Sequence, residues 1–131
     1  MELGSFSKLL YFRVHANSLT GRIPPFLGKL WFLEYFSVTF NNLERNIPES
    51  IGHLKSLSIF AVGSNKLNSM VPSSLYNLSF INGLGFEVNQ LSGTLPANIG
   101  LTFPNLKLFE IGENEFFGQS LVLYAMHLSF E

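Results

Sequence analysis

Hydrophobic residues recur along this chain in one figure, five times over, each time set around an asparagine. Phe6, Leu9, Phe12, Val14 and Leu19 surround Asn17; Leu30, Leu33, Phe36, Val38 and Leu43 surround Asn41. Leu54, Leu57, Phe60, Val62 and Leu67 surround Asn65, and Leu78, Ile81, Leu84, Phe86 and Leu91 surround Asn89. Phe103, Leu106, Phe109, Ile111 and Phe116 complete the series around Asn114. The asparagines stand 24, 24, 24 and 25 residues apart. A fixed period in the twenties is the mark of a solenoid, in which no coil can bury its apolar face alone and neighbours stack into a common core.

Within each coil, the apolar residues five and three positions before the asparagine alternate with others, the period of a half-buried strand. Such strands, repeated coil by coil, are expected to stack in parallel about 4.8 Å apart. Asn17, Asn41, Asn65, Asn89 and Asn114 sit where the chain leaves the strand. A carboxamide there offers two donors and an acceptor without charge, which predicts a structural ladder of hydrogen bonds between coils. Replacing a middle one with leucine is expected to cost about 1–3 kcal/mol. Prolines 24, 48, 72 and 96 follow Ile23, Ile47, Val71 and Leu95. A residue before proline is held extended, so a short second strand is predicted there, with proline opening a helical turn. The turns are expected to close at Leu27-Gly28, Ile51-Gly52, Leu75-Tyr76 and Ile99-Gly100, with glycine as the left-handed terminator. Tyr76 departs from that pattern, and Asn77 beside it tolerates the same conformation. The predicted fold is an α/β solenoid of leucine-rich-repeat type. It has about five coils over residues 1–119, a parallel concave sheet, short second strands and convex helical turns, and an irregular tail over 120–131.

Charged residues make up only 13% of the chain, against roughly a quarter in ordinary soluble domains, because each coil commits about six positions to the core. The net charge is −1, all nine acids are glutamate, and no basic run exists, which speaks against a nucleic-acid partner. Cysteine is absent, so no disulfide or thiol nucleophile is available. His15, His53 and His127 have no supportable serine or aspartate partner, so the chain does not read as an enzyme, and no cofactor or metal is expected. Calcium would need six or more oxygen ligands. No basic-then-apolar leader precedes Phe6, and the apolar run from Leu121 to Met126 is far short of the ~20 residues of a membrane span. As it stands, the chain reads as cytoplasmic, without membrane contact.

The phrases NSLTGRIPPFLGKL and NQLSGTLPANIG resemble the plant-specific leucine-rich repeat, L-x-x-L-x-L-x-x-N-x-L-[ST]-G-x-[IL]-P. That repeat builds ectodomains of plant receptor-like serine/threonine kinases and receptor-like proteins. LTFPNLKLFEIGENEFFG, in the longer coil, is similar to a segment of the immune-receptor subgroup. The resemblance covers about residues 3 to 118. It implies a non-catalytic module at the plasma membrane with its repeats extracellular, binding a peptide or protein ligand together with a leucine-rich-repeat co-receptor, in defence signalling. Gly21, Gly93 and Gly118 fit the motif glycine, whereas Arg45 and Ser69 replace it. The cysteine-bearing caps, membrane span and kinase domain of the family are missing. Uncapped ends expose core, so self-association is expected.

In that family partners dock on the concave sheet or its lateral edge. The candidate ligand-binding residues here are Tyr11, Arg13, His15, Tyr35, Ser37, Thr39, Phe40, Ile59, Glu87 and Glu110, all expected to be exposed. Tyr11, Tyr35 and Ile59 occupy one site on adjacent coils. The stripe reads either as interface anchors or as a cross-strand ladder that only stabilises the sheet. Glycines and small residues in coils three and four leave room for an extended peptide. Glu87, Glu110 and Glu113 gather at one end and Arg13 and His15 at the other, matched to a basic group and a carboxylate respectively, or simply solvated. Asn77-Leu78-Ser79 is a glycosylation sequon on a convex turn. Asn82, at a strand start, has no reading. Three functions stay open: a ligand- or co-receptor-binding ectodomain fragment, a truncated product that regulates relatives by interaction, and a gene fragment without independent function.

Overall fold

The computed structural model describes residues 8–118. Phe6, His127 and the tail assigned to 120–131 lie outside the described residues. Among the described residues, nine short strands are interspersed with four helical turns. Strands β1 (Tyr11–Arg13), β2 (Tyr35–Ser37), β4 (Ile59–Ala61), β6 (Gly83–Gly85) and β8 (Leu108–Glu110) form a five-stranded sheet, parallel throughout and in chain order. Register follows the repeat: Phe12, Phe36, Phe60, Leu84 and Phe109 are successive partners. Their side chains face the core, where the rings of Phe12, Phe36 and Phe60 stack at 5.5 Å from one to the next. Phe86 continues this spine edge-on to Phe60 at 6.4 Å. The middle coils are closed completely: Leu33, Ile51, Leu54, Leu57, Phe60, Val62, Leu67, Leu75 and Ile81 are all 0% exposed. Leu9, Phe12, Leu106, Phe109, Ile111 and Phe116, in the first and last coils, are only partly covered.

Each asparagine after the first reaches into the coil before it. Asn65 Oδ1 accepts from Leu43 N–H at 3.0 Å, while its Nδ2 donates to the carbonyls of Val38, Val62 and Gly63 at 3.0, 3.0 and 3.1 Å. Asn41 makes the equivalent bonds to Leu19 N–H and the Val14, Val38 and Thr39 carbonyls, and also accepts from Asn17 N–H. Asn89 and Asn114 repeat the set around Leu67 and Leu91. Asn41, Asn65 and Asn89 are buried, with 7%, 8% and 9% exposure. Buried amides of this kind are tolerated because every donor and acceptor is matched. The residue before each asparagine (Ala16, Phe40, Ser64, Val88 and Glu113) is left-handed, with φ between 54° and 59°, and this turns the chain inward.

A second parallel sheet joins β3 (Glu44–Arg45), β5 (Lys66–Met70), β7 (Gln90–Gly93) and β9 (Glu115–Phe116). It lies one to three residues after the asparagines rather than at Ile23, Ile47, Val71 and Leu95, where the prolines predicted it. Those four are buried core residues, and the proline after each has no N–H with which to carry a ladder onward.

Prolines 24, 48 and 72 precede 3-10 turns at Pro25–Lys29, Glu49–His53 and Ser73–Asn77. The turn glycines do not act as left-handed terminators, because positive φ among the described glycines is confined to Gly21, Gly93 and Gly118. Gly28 and Gly52 are needed for space instead. A Cβ on Gly28 would stand 2.6 Å from the Ser50 carbonyl oxygen, and one on Gly52 would stand 2.6 Å from Ser74 Cβ. Ser50 and Ser74 close these approaches by donating to the Pro25 and Glu49 carbonyls one coil back. Tyr76, at the third such position, packs edge-on against Phe103 at 6.1 Å. The 25-residue interval explains this exception. Leu54 N–H bonds to Ile51 three residues back, whereas Phe103 N–H bonds to Ile99 four back. The inserted residue thus widens a 3-10 turn into the α-helical turn α1 (Ile99–Thr102), capped by Asn98.

Asn65→Ala should lower the unfolding free energy by about 3 kcal/mol in a urea titration, since four buried partners lose their match. Asn17→Ala, whose side chain among the described residues bonds only the His15 carbonyl, should cost under about 1 kcal/mol. Arg45 and Ser69, where other coils carry glycine, have φ of 70°. Arg45→Gly and Ser69→Gly should each raise stability by about 0.5–1 kcal/mol, the left-handed strain outweighing glycine's entropy. The Arg45–Glu44 ion pair lost with arginine is exposed and 4.0 Å long, and is worth little.

Candidate functional site

The exposed face of the five-stranded sheet is a grid whose rows are set by the strand register. Its first row reads Tyr11, Tyr35, Ile59, Gly83 and Leu108. The rings of Tyr11 and Tyr35 meet at 6.1 Å, tilted by 49°, and Tyr11 is 63% exposed. The Ile59 side chain lies over Gly83, its Cδ1 2.6 Å from where a Cβ would stand. Two residues past the ends of β1 and β2, His15 Nδ1 is 2.9 Å from Thr39 Oγ1, and its ring meets Phe40 edge-on at 5.3 Å. Phe40 is 59% exposed because its left-handed backbone throws the side chain off the sheet. Sequence-predicted residues from coils one and two are thereby brought together as an aromatic patch beside Arg13.

The far half of the face is different. Ser37, expected to be exposed, is buried at 5%, and Gly63, Gly83 and Gly85 are buried too. Ser37 stands between Arg13 and Ala61 in register, and a side chain this short is covered by its neighbours. Glu87 lies back over the trough left by Gly63 and Gly85. Its carboxyl carbon is 2.5 Å from where a Cβ on Gly63 would stand, and its Oε1 3.1 Å from the same point on Gly85. That Oε1 is buried without a hydrogen-bond partner. Burial raises the Glu87 pKa above the usual carboxylate value; its own backbone N–H opposes the rise, and Glu110 nearby adds to it. Asn77 is the exposed last residue of its 3-10 turn.

Two grooves lie off the sheet. One, of 780 Å³, runs beneath the second sheet, where Arg22, Asn46, Met70 and Thr94 frame the pre-proline core residues. The other, of 520 Å³, lies where the convex turns lead into the strands, lined by Glu34, Ser56, Ser58, Phe80, Asn82, Asn105 and Lys107. Alignment by the 24-residue period would have placed Glu34, Ser58, Asn82 and Lys107 in one row, but none is apolar and the core pattern passes over them. Among the described residues, no group of three or more histidine, cysteine, aspartate or glutamate side chains could hold a metal ion. No helix among them is long and apolar enough to cross a membrane.

The family model for the Leucine Rich Repeat matches residues 32–54. No curated protein sequence matches the chain. Solved structures do. The structure of PEPR1 with AtPEP1 superposes with a TM-score of 0.81 at 35% identity over 86% of this chain and 16% of that one. A TDR receptor gives 0.80 at 37% identity, over 84% and 19% respectively. The Arabidopsis receptor kinase HAESA, in complex with the peptide hormone IDA and the co-receptor SERK1, gives 0.80 at 29% identity over 88% and 20%. The chain is a leucine-rich-repeat solenoid whose structure resembles part of the ectodomain of plant leucine-rich-repeat receptor kinases. It spans about a sixth to a fifth of the length of these three structures. Its fold is also that of the BIR2 ectodomain from Arabidopsis thaliana, with a TM-score of 0.76 at 29% identity over 81% of this chain and 55% of that one.

Because the Glu87 carboxyl is held above its usual pKa, the folded chain keeps this proton where the unfolded chain has released it. The stability so gained is fully present below about pH 4.5 and is lost as pH rises through the raised value. Glu87→Gln should therefore melt at a higher temperature than the parent at neutral pH and should flatten the decline above pH 4.5 in thermal scans. An unchanged pH profile would contradict this environment.

Proposed function

We propose that the chain is a non-catalytic recognition module that binds a peptide or protein through the aromatic half of its five-stranded sheet. The observation that supports this most is the contiguous patch of Tyr11, Tyr35, Ile59, His15 and Phe40 beside Arg13. Tyr11 and Phe40 are 63% and 59% exposed there, on a face whose backbone is already saturated by inter-coil bonds. Aromatic residues next to arginine are favoured interface anchors, and a rigid sheet presents them at little entropic cost. The buried glycines beyond give an extended ligand backbone room to approach. HAESA, solved with a peptide hormone and a co-receptor, supports a partner of that kind. In this reading the chain works as part of a longer extracellular receptor in defence signalling, and Asn77 carries a glycan.

The test begins with peptides selected on the immobilised chain from a random displayed library. The double variant Tyr11→Ala, Tyr35→Ala should bind them at least about ten-fold more weakly, with an unchanged far-ultraviolet circular dichroism spectrum. Equal affinity in parent and variant would show that the stripe only stabilises the sheet.

A further inference from the structure

The flanking groove at Phe80 is made of parts the fold does not use. Glu34, Ser58, Asn82 and Lys107 enter it from one row, and the backbone beneath is locked: the Glu34, Ser58 and Asn82 carbonyls each accept two N–H groups of the next coil. Ser56, Ser58 and Asn82 are half-buried, yet their side chains have no hydrogen-bond partner among the described residues. Their polar atoms are open to solvent, since among the described side chains Glu87 Oε1 alone is buried without a partner, and so they are available to a ligand. Glu34 and Lys107 form no ion pair with a described residue either. Asn105 is held by a bond from its Nδ2 to the Ser79 carbonyl at 3.2 Å, which leaves its Oδ1 free to accept. Phe80, beside the fully buried Ile81, turns its ring outward along the groove with 62% exposure.

These groups define a ligand. One carboxylate accepts, one ammonium donates, and the amides and hydroxyls do both. The opposed charges favour a ligand without net charge. It must donate and accept around its rim and still present a flat apolar face to a phenyl ring. We propose that this groove is a saccharide-binding site, taking one or two pyranose units with their C–H face on Phe80. Their hydroxyls are shared among Asn82, Asn105 and Ser58, with Glu34 at one end of the groove and Lys107 at the other. A volume of 520 Å³ lies within the range of small-molecule sites. This site is separate from the peptide-binding reading and does not rest on it.

The full chain, made in a bacterial host so that Asn77 carries no glycan, is titrated with cellobiose while its ¹⁵N–¹H spectrum is followed. Saturable shifts are expected at Phe80, Asn82 and Lys107, with a dissociation constant in the millimolar range. Phe80→Ala should weaken binding about ten-fold and Asn82→Ala about five-fold, with melting temperatures unchanged because both side chains lie outside the core. Tyr11→Ala should leave the titration as it is. Glycerol, a polyol without a ring face, should produce no saturable shift. No saturable response to cellobiose, an equal response to glycerol, or binding that survives Phe80→Ala would overturn the assignment.

Discussion

The carboxamide of Asn65 touches four backbone groups, two in its own coil and two in the coil before, and it does so without charge. Much of the architecture depends on that arrangement. Donation to the carbonyls two and three residues back closes the inward turn and holds the preceding residue left-handed, even where that residue is Phe40 or Val88. Donation and acceptance across the coil boundary fix the spacing, so the strands can meet only in the register of the repeat. A hydroxyl could not supply two donors, and a carboxylate would repel the carbonyls it faces. The apolar spine of Phe12, Phe36 and Phe60 supplies the driving force for stacking. The asparagines supply the alignment.

Once alignment is fixed, the remaining variation has to fit between coils. Gly28 and Gly52 are glycine because the next turn comes within contact distance, and Ser50 and Ser74 convert that proximity into hydrogen bonds. Tyr76 is permitted because the following coil has one residue more and its turn is wider. The same logic governs the open face. With the backbone saturated, only side-chain size decides what a partner meets. The tyrosines and Phe40 stand out from coils one and two, and the glycines of coils three and four leave a trough on which Glu87 rests. The unpartnered Oε1 of Glu87 is a local cost, and it sits on the surface proposed for recognition rather than in the core.

Much of this was legible in the sequence, because a repeat states each structural requirement five times. Core positions, strand register and the asparagine positions could all be read from the 24-residue period. The misreadings concern contacts between coils, which one coil's sequence does not show. The turn glycines looked like helix terminators because Leu-Gly at a turn end usually is one. Their real constraint is Ser50 or Ser74 from the next coil. Ser37 looked exposed because strand alternation puts it outward, but alternation says nothing of cover from Arg13 and Ala61 alongside. The second strand was misplaced by a few residues because pre-proline extension was read as ladder formation. The flanking groove escaped notice altogether, since Glu34, Ser58, Asn82 and Lys107 share a row but no chemistry.

The most direct test of the asparagine account is native-state hydrogen exchange at Leu43 and Leu67. Their N–H groups bond to side-chain oxygens of Asn65 and Asn89 instead of to a backbone partner. If the ladder ties the coils into one cooperative unit, both amides should exchange only through global unfolding, with the free energy found by denaturant titration. Exchange at the rate of locally opening turns would contradict the account and leave the apolar core and the sheet hydrogen bonds to hold the coils together.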